Sequence, residues 1–435
     1  MKKISIYLIL SVILTVLLTK STTLTVSNFS TGATARPDQI TLTWTGDPAT
    51  TQTVSWRTDS GVHSGEIQYC QYSEDFDSKS KIMKAETSKL NTELGKVNIH
   101  SVTLRGLEPG KKYTYRVGTG TNRSEKYFFS TAANNTTNFK FLIFGDSQSS
   151  GISKPDYSDW RKTVRNAYNA NKDAEFFVNL GDLVNIDLYT HWNKWFSSAE
   201  GIVNLIDVIP VGGNHETYKD NSFKATRKPR YLKYLFKVPQ NGPKGYKSQV
   251  YSCDYGNIHF VVLDSQYNEE KNVDGSILET QKEWLDNDLK KTNKPWKIVL
   301  FHKSPFPNMP SRPNNEVRAA FQPIIDKYHV DVVFNGHDHC VARTYAINGD
   351  RYLDKPSLGT VYYTAGRSGN KVYNDTKQMK WDTFFCNPKD QPSYIIAEMQ
   401  GNKLVLTAKK QDGELIDTFT IDKSTDAFSP SLWPD

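Results

Sequence analysis

Phe139-Lys-Phe-Leu-Ile-Phe-Gly-Asp-Ser-Gln148 is an unbroken apolar run that stops at a Gly-Asp pair. Such a run is a strand buried on both faces, and the residues just beyond it fall on the carboxyl edge of a sheet, where open α/β folds bind ligands. The same grammar recurs downstream. Residues 176–180 lead into Gly181-Asp-Leu-Val-Asn185, residues 208–211 into Gly212-Gly-Asn-His-Glu216, residues 298–301 into His302, and residues 330–334 into Gly336-His-Asp-His339. A further apolar strand is predicted at 258–263, and the 3.6-residue period predicts amphipathic helices at 159–171, 278–291 and 314–328. Strands alternating with helices make 139–422 a layered α/β domain, closed by a hairpin-like pair within 394–421.

Upstream, from 36 to 131, the pattern changes. Short alternating runs, Ile40-Thr-Leu-Thr-Trp44, Thr53-Val-Ser-Trp56 and Tyr113-Thr-Tyr-Arg-Val117, are separated by Gly, Pro, Asp and Ser clusters and predict a small antiparallel β-sandwich. Leu107-Glu-Pro-Gly110 ahead of Tyr113-Thr-Tyr115 resembles the penultimate strands of a fibronectin type III domain. The fold class is therefore multidomain, α+β and α/β, with a fibronectin III-like sandwich first and the layered α/β domain second. Residues 132–138 read as a polar linker and 423–435 as a tail. The sandwich is expected either to pack beside the active-site edge or to act as a spacer. Met1-Lys-Lys3 ahead of the apolar stretch 4–18 has the order of a secretory signal, so 1–35 is read as signal and leader. The chain is expected to be secreted or at the cell surface, with an uncleaved anchor as the alternative.

Of 435 residues, 37% are apolar and 23% charged, which excludes collagen-like, coiled-coil and wholly disordered chains. The net charge of +7 is dispersed without a basic run, so neither a nucleic-acid partner nor membrane contact beyond the signal segment is expected. Cys70, Cys253, Cys340 and Cys386 lack a CxxC spacing, which argues against a thiolate zinc site and leaves disulfides and free thiols both open.

Asp146, Asp182, Asn214, His302, His337 and His339 form a mixed oxygen and nitrogen donor set that suits Fe, Zn or Mn better than Ca. Each motif alone is an ordinary turn or loop; their conjunction at strand ends is the signal. Six ligands are too many for one tetrahedral ion, and with one carboxylate bridging they match two ions about 3.5–4 Å apart, which polarise a phosphoryl oxygen and supply hydroxide near neutral pH. The glycine before Asp146, Asp182 and His337 is expected to let the backbone turn, and the His337-x-His339 spacing to point both rings the same way.

Together these blocks resemble the calcineurin-like metallophosphoesterase superfamily, and within it the purple acid phosphatase-like branch, across roughly 38–421. The resemblance implies that Asp146 and His339 hold a first metal, that Asp182 bridges, and that Asn214, His302 and His337 complete a second. The ions are expected to be divalent or trivalent Fe, Zn or Mn. His215 is implied to sit over the phosphate, stabilising charge or protonating the leaving oxygen. The implied activity is hydrolysis of small phosphate monoesters by a metal-bound hydroxide. A phosphodiesterase or nucleotidase with the same metal pair, and a non-catalytic surface binding protein with a vestigial site, are the alternatives.

Three departures from the branch stand out. Asn185 occupies the position of the tyrosine that colours purple acid phosphatases, so no colour is expected, and Asn185 is expected to accept a hydrogen bond from His215. Gln148 stands where other superfamily members place a histidine ligand, and its amide oxygen is a candidate contact to the first metal or to a water there. The loop after His302 lacks the branch's phosphate-binding histidines, which leaves Lys303, Arg312 and Arg343 as candidate phosphate contacts, and Arg367 of the same kind.

Overall fold

The computed structural model describes residues 30–220, 222–223 and 228–426. The expected signal at 4–18 lies outside the described residues, as does 427–435 of the expected tail. Among the described residues no helix is long and apolar enough to cross a membrane.

The alternating runs of the first region become two antiparallel sheets. One has the order Asp38–Thr43, Thr51–Asp59, Gly95–Arg105, Glu86–Thr92, and the other runs Lys81–Lys84, Glu66–Gln71, Lys112–Thr119, Asn122–Arg123, with Tyr127–Ser130 also paired to Lys112–Thr119. Their inward residues, among them Leu42, Val54, Trp56, Ile67, Tyr115 and Val117, form one cluster. The period-2 pattern specifies this because a slip of one residue would move that whole set to the solvent face.

The α/β region holds two sheets rather than one open sheet. The first is six-stranded, in the order Asp207–Pro210, Ala174–Asn179, Asn138–Phe144, Ser393–Gln400, Lys403–Lys410, Leu415–Asp422. The second is eight-stranded and carries Ile258–Val262, Trp296–Leu300, Val332–Asn335 and Thr360–Ala365 in parallel. Phe141 of the first sheet meets Phe260 of the second edge to face at 5.6 Å, so the apolar runs are buried by each other as well as by helices. Helices Ser158–Ala170, Ile277–Lys291 and Asn315–Lys327 fall where the period placed them. Helix Tyr189–Ala199, not anticipated, buries Trp192, Trp195, Phe196 and Ala199 at helical spacing and stacks Trp195 on Trp160 at 5.5 Å.

Both domains belong to one compact unit, Thr31–Asp435. The sandwich docks mainly at the amino ends of the parallel strands, and the tip of its 86–105 hairpin also reaches the carboxyl-end loops, where Glu93 accepts from the Thr190 N–H at 3.2 Å and the Tyr231 hydroxyl at 2.9 Å. Leu42 donates its main-chain N–H to the Val203 carbonyl at 2.9 Å, Gln52 donates to the Asp207 carboxyl at 2.7 Å, and Tyr115 donates to the Asn204 carbonyl at 2.8 Å. Trp44 packs on Phe176 and Tyr255. All four cysteines are free.

His259 ties helix Ile277–Lys291 to the sheet edge. Its ring lies 2.6 Å from Asp254 and 2.9 Å from Asp288, and Lys294 approaches Asp254 at 3.9 Å. Burial opposes its charge, but the two carboxylates outweigh burial and push the imidazole from 6.5 up to about 9. A raised folded pKa stabilises fully below the unfolded value, and that contribution is lost as pH rises through about 9. It amounts to about 2 kcal/mol once the half-exposed Asp254 is discounted for solvent screening. The melting temperature of the wild type should therefore fall more steeply between neutral and strongly alkaline pH than that of His259→Gln, and parallel curves in a thermal shift series would refute this linkage.

Candidate metal centre

Asp146, Asp182 and Asn214 follow the three parallel strands of the six-stranded sheet, and His302 and His337 follow two strands of the other, so the donors meet where the two sheets share an edge. Asp146, Asp182, His337 and His339 all take a left-handed backbone, with φ of 51°, 51°, 74° and 57°. This conformation costs about 1–2 kcal/mol for each non-glycine residue, and it gathers here at the donors themselves. Most of the preceding glycines have a different job from the expected turn. A Cβ at Gly336 would stand 2.6 Å from Asp146 Oδ2, and one at Gly213 would overlap the Asp182 carboxylate. Only Gly181, at φ 92°, combines crowding with a left-handed turn.

Among the described residues, two groups of donors come together and share one member. Asp182, His302 and His337 each place a ligand atom within 4.8 Å of the others, and so do Asp146, Asp182 and His339. Asn214 Oδ1 joins the first group 3.2 Å from His302 Nε2. His337 and His339, instead of lying side by side on a strand, follow it in left-handed turns and serve different groups. The His302 Nδ1–H donates to the Leu180 carbonyl at 2.8 Å and the His339 Nδ1–H to the Lys371 carbonyl at 2.6 Å, which leaves each Nε2 facing the donors. Glu216 gathers the loops behind them, accepting the main-chain N–H groups of Asp182, Val184 and Gly213 at 3.0, 3.0 and 2.7 Å.

Burial alone would raise the Asp182 carboxyl, but His302 and His215 hold it well below the usual carboxylate range. Burial disfavours charge on His302 too, and Asp182 overrides it, pushing the imidazole up to about 9. His302 Nε2 also faces His337 Nδ1 at 3.2 Å, and Gln148 Oε1 is buried without a partner while its Nε2 donates to Asp182 at 3.2 Å. Lone pairs crowded into a dry space call for cations. The residues present fit two metal ions sharing Asp182, with Gln148 beside the shared carboxylate.

His215 lies over this carboxylate, its Nε2 3.7 Å from Asp182 Oδ2. Burial lowers its pKa to about 4, with Asp182 only partly compensating. The Asn185 side chain does not hold it, contrary to expectation. His215 Nδ1–H donates to the Asn185 main-chain carbonyl at 2.6 Å, and Asn185 Oδ1 has no partner.

The candidate phosphate contacts separate sharply. Arg312 reaches the site, with Nη1 3.4 Å from His337 Nε2 and its guanidinium over the Tyr373 ring. Lys303 is buried and neutralised by Glu269 at 2.5 Å, Arg343 is held by Asp417 at 2.9 Å, and Arg367 donates to the carbonyls of Gly369, Pro388 and Lys389. Each of these three is thus held by partners within the protein, and only Arg312 of the four is drawn to the donor groups. Lys371 and Tyr373 were missed by sequence reading. Lys371 Nζ lies 2.8 Å from His215 Nε2, and the Tyr373 ring lies 4.2 Å from that of His339. They sit in an irregular segment after the last parallel strand, with no motif to mark them.

Known proteins share this order of domains and this fold. Residues 37–131 match the family described as the purple acid phosphatase N-terminal domain, and residues 139–341 match the calcineurin-like phosphoesterase family. Fibronectin type III is thus only a general likeness in fold for the sandwich. A purple acid phosphatase of Glycine max is 28% identical over 73% of this chain and 67% of its own length. Acid phosphatase type 7 of Mus musculus is 26% identical over 77% of this chain and 78% of its own. The solved purple acid phosphatase PPD1 from yellow lupin seeds shares the fold, with a TM-score of 0.73 and 18% identity over 92% of this chain and 77% of that one. The chain belongs to the calcineurin-like metallophosphoesterase superfamily, in its purple acid phosphatase-like branch, and is a metal-dependent phosphoric ester hydrolase.

Proposed function

We propose that this enzyme is exported and hydrolyses small phosphate monoesters at a pair of Fe, Zn or Mn ions. The observation that carries the reading is the single carboxylate, Asp182, shared by two donor groups. Asp146 and His339 would hold one ion, Asn214, His302 and His337 the other, and Asp182 both. Bound there, the ions would polarise phosphoryl oxygens and make a water acidic enough to react near neutral pH. The export signal read at 4–18 supports a location outside the cytoplasm.

The chain's own groups supply the rest. Because the His215 Nδ1–H is committed to the Asn185 carbonyl, Nε2, which shares its place with the Lys371 ammonium 2.8 Å away, is the ring atom that would face a phosphate. A phosphate dianion beside it favours the protonated ring, which can then pass a proton to the leaving oxygen. Arg312, by His337, adds a fixed positive charge. No tyrosine lies at position 185, so an iron-loaded form should lack tyrosinate colour.

Purified protein should carry about two metal ions per chain after reconstitution, and Asp182→Asn should lose both together with at least about 10³-fold of activity on p-nitrophenyl phosphate. Retained turnover in Asp182→Asn would rule out the shared-carboxylate mechanism. Well under one ion per chain would favour a non-catalytic binding protein, and faster turnover of bis(p-nitrophenyl) phosphate would favour a diesterase. His215→Ala should fall by about 10²–10⁴-fold, whereas Asn185→Ala should stay within about threefold of wild type, because the main-chain carbonyl survives the substitution. Equal losses in the two variants would return the orienting role to the Asn185 side chain.

A further inference from the structure

We propose that Lys371 is a specificity-determining residue, its ammonium gripping the non-bridging oxygens of a phosphate dianion so that monoesters are preferred over diesters. The inference rests on the monoesterase reading above and names the group that would give it selectivity.

The segment carrying Lys371 joins strands Thr360–Ala365 and Asp382–Cys386 and is pinned through its main chain. Arg367 donates to the Gly369 carbonyl at 2.6 Å, the Ser150 N–H donates to Asn370 Oδ1 at 2.6 Å, and Asn387 donates to the Tyr373 carbonyl at 2.9 Å. The Lys371 carbonyl itself accepts the Nδ1–H of His339, a member of one donor group. This backbone contact places the residue beside the metal site whatever its side chain is. The side chain then runs to the other landmark of the site, with Nζ 2.8 Å from His215 Nε2.

What sets this ammonium apart is the absence of a counter-charge. Among the described residues no carboxylate lies within ion-pairing distance of Lys371 Nζ, whereas Lys303 and Arg343 are each neutralised by an acidic neighbour. Its neighbours are the His215 ring, with Nε2 2.8 Å away, and the Tyr373 ring, 5.5 Å away, which also carries Arg312 on it. Lys371 by His215 and Arg312 by His337 therefore place two cations next to the donor groups, both of them against the Tyr373 ring. There they would meet the outer oxygens of a phosphate held at the shared carboxylate. A cation at a fixed place gains more from two negative charges than from one, so it favours a monoester dianion over a diester monoanion.

The test compares wild type, Lys371→Ala and Lys371→Arg in metal-loaded protein, with metal content and melting temperature measured for each. Binding of inorganic phosphate is followed by calorimetry, and kcat/KM is measured for p-nitrophenyl phosphate and for its bis ester. Lys371→Ala should weaken phosphate binding and lower monoester kcat/KM by about 10-fold to 100-fold, with the diester falling by less than about threefold. Lys371→Arg should recover most of both, and metal content should not change. Equal losses on the two esters, or unchanged phosphate binding in Lys371→Ala, would overturn the proposal. A wild type that turns over neither ester would defeat the monoesterase reading, while the phosphate calorimetry would still decide whether Lys371 holds the anion.

Discussion

A carboxylate buried from solvent must have its charge balanced by the groups gathered around it, and Asp182 is where this molecule meets that constraint. Its oxygens face His302, His215 and Gln148 side chains and the His215 main-chain N–H, and its own N–H is taken by Glu216. Removing any one partner leaves a buried charge short of a donor, which costs more than the lost contact alone. The surrounding loops are built to avoid this. Gly213 and Gly336 allow backbones to come closer than a side chain would permit, and Glu216 collects three N–H groups that would otherwise be orphaned.

The two-sheet arrangement follows from the same need. A single sheet would spread strand ends along a line, with neighbours about 4.8 Å apart, and the donors of distant strands could not all meet. Two sheets packed face to face bring His302 and His337 of one against Asp146 and Asp182 of the other, and the bond from His302 to the Leu180 carbonyl crosses between them. The strained left-handed conformations at four donors are supported by this framework. The sandwich fixes the amino ends of the strands, through Gln52 on Asp207 and Trp44 on Phe176, and its Glu93 also ties the loops at the opposite end through Thr190 and Tyr231.

Much of this was legible in the residues, because the governing forces are local. Apolar runs and the 3.6-residue period placed strands and helices within a residue or two, and strand-end chemistry named all six donors that the geometry gathers. Helix Tyr189–Ala199 escaped notice because its aromatic residues also suit a strand, and tertiary burial of Trp192 and Trp195 decided the matter. Asn185 misled because a motif names a side chain, while the orienting bond comes from its main chain. Gly145 and Gly336 misled for a related reason: their Cβ would be crowded by residues far away in sequence, whereas Gly181 makes the expected turn.

The sequence by itself determined the order of domains, the kinds of elements, the donor chemistry and the family, all of which are written in short stretches whose meaning does not depend on distant neighbours. Only the tertiary structure decided which cations are available to an anion. Lys303 is neutralised by a residue 34 positions away and Arg343 by one 74 away, while Lys371 meets His215 across 156 positions. The physical reason is that a charge has no fixed role until its neighbours are known. The same ammonium is a structural tie beside a carboxylate and a binding group beside a neutral imidazole, and folding alone brings one or the other to it.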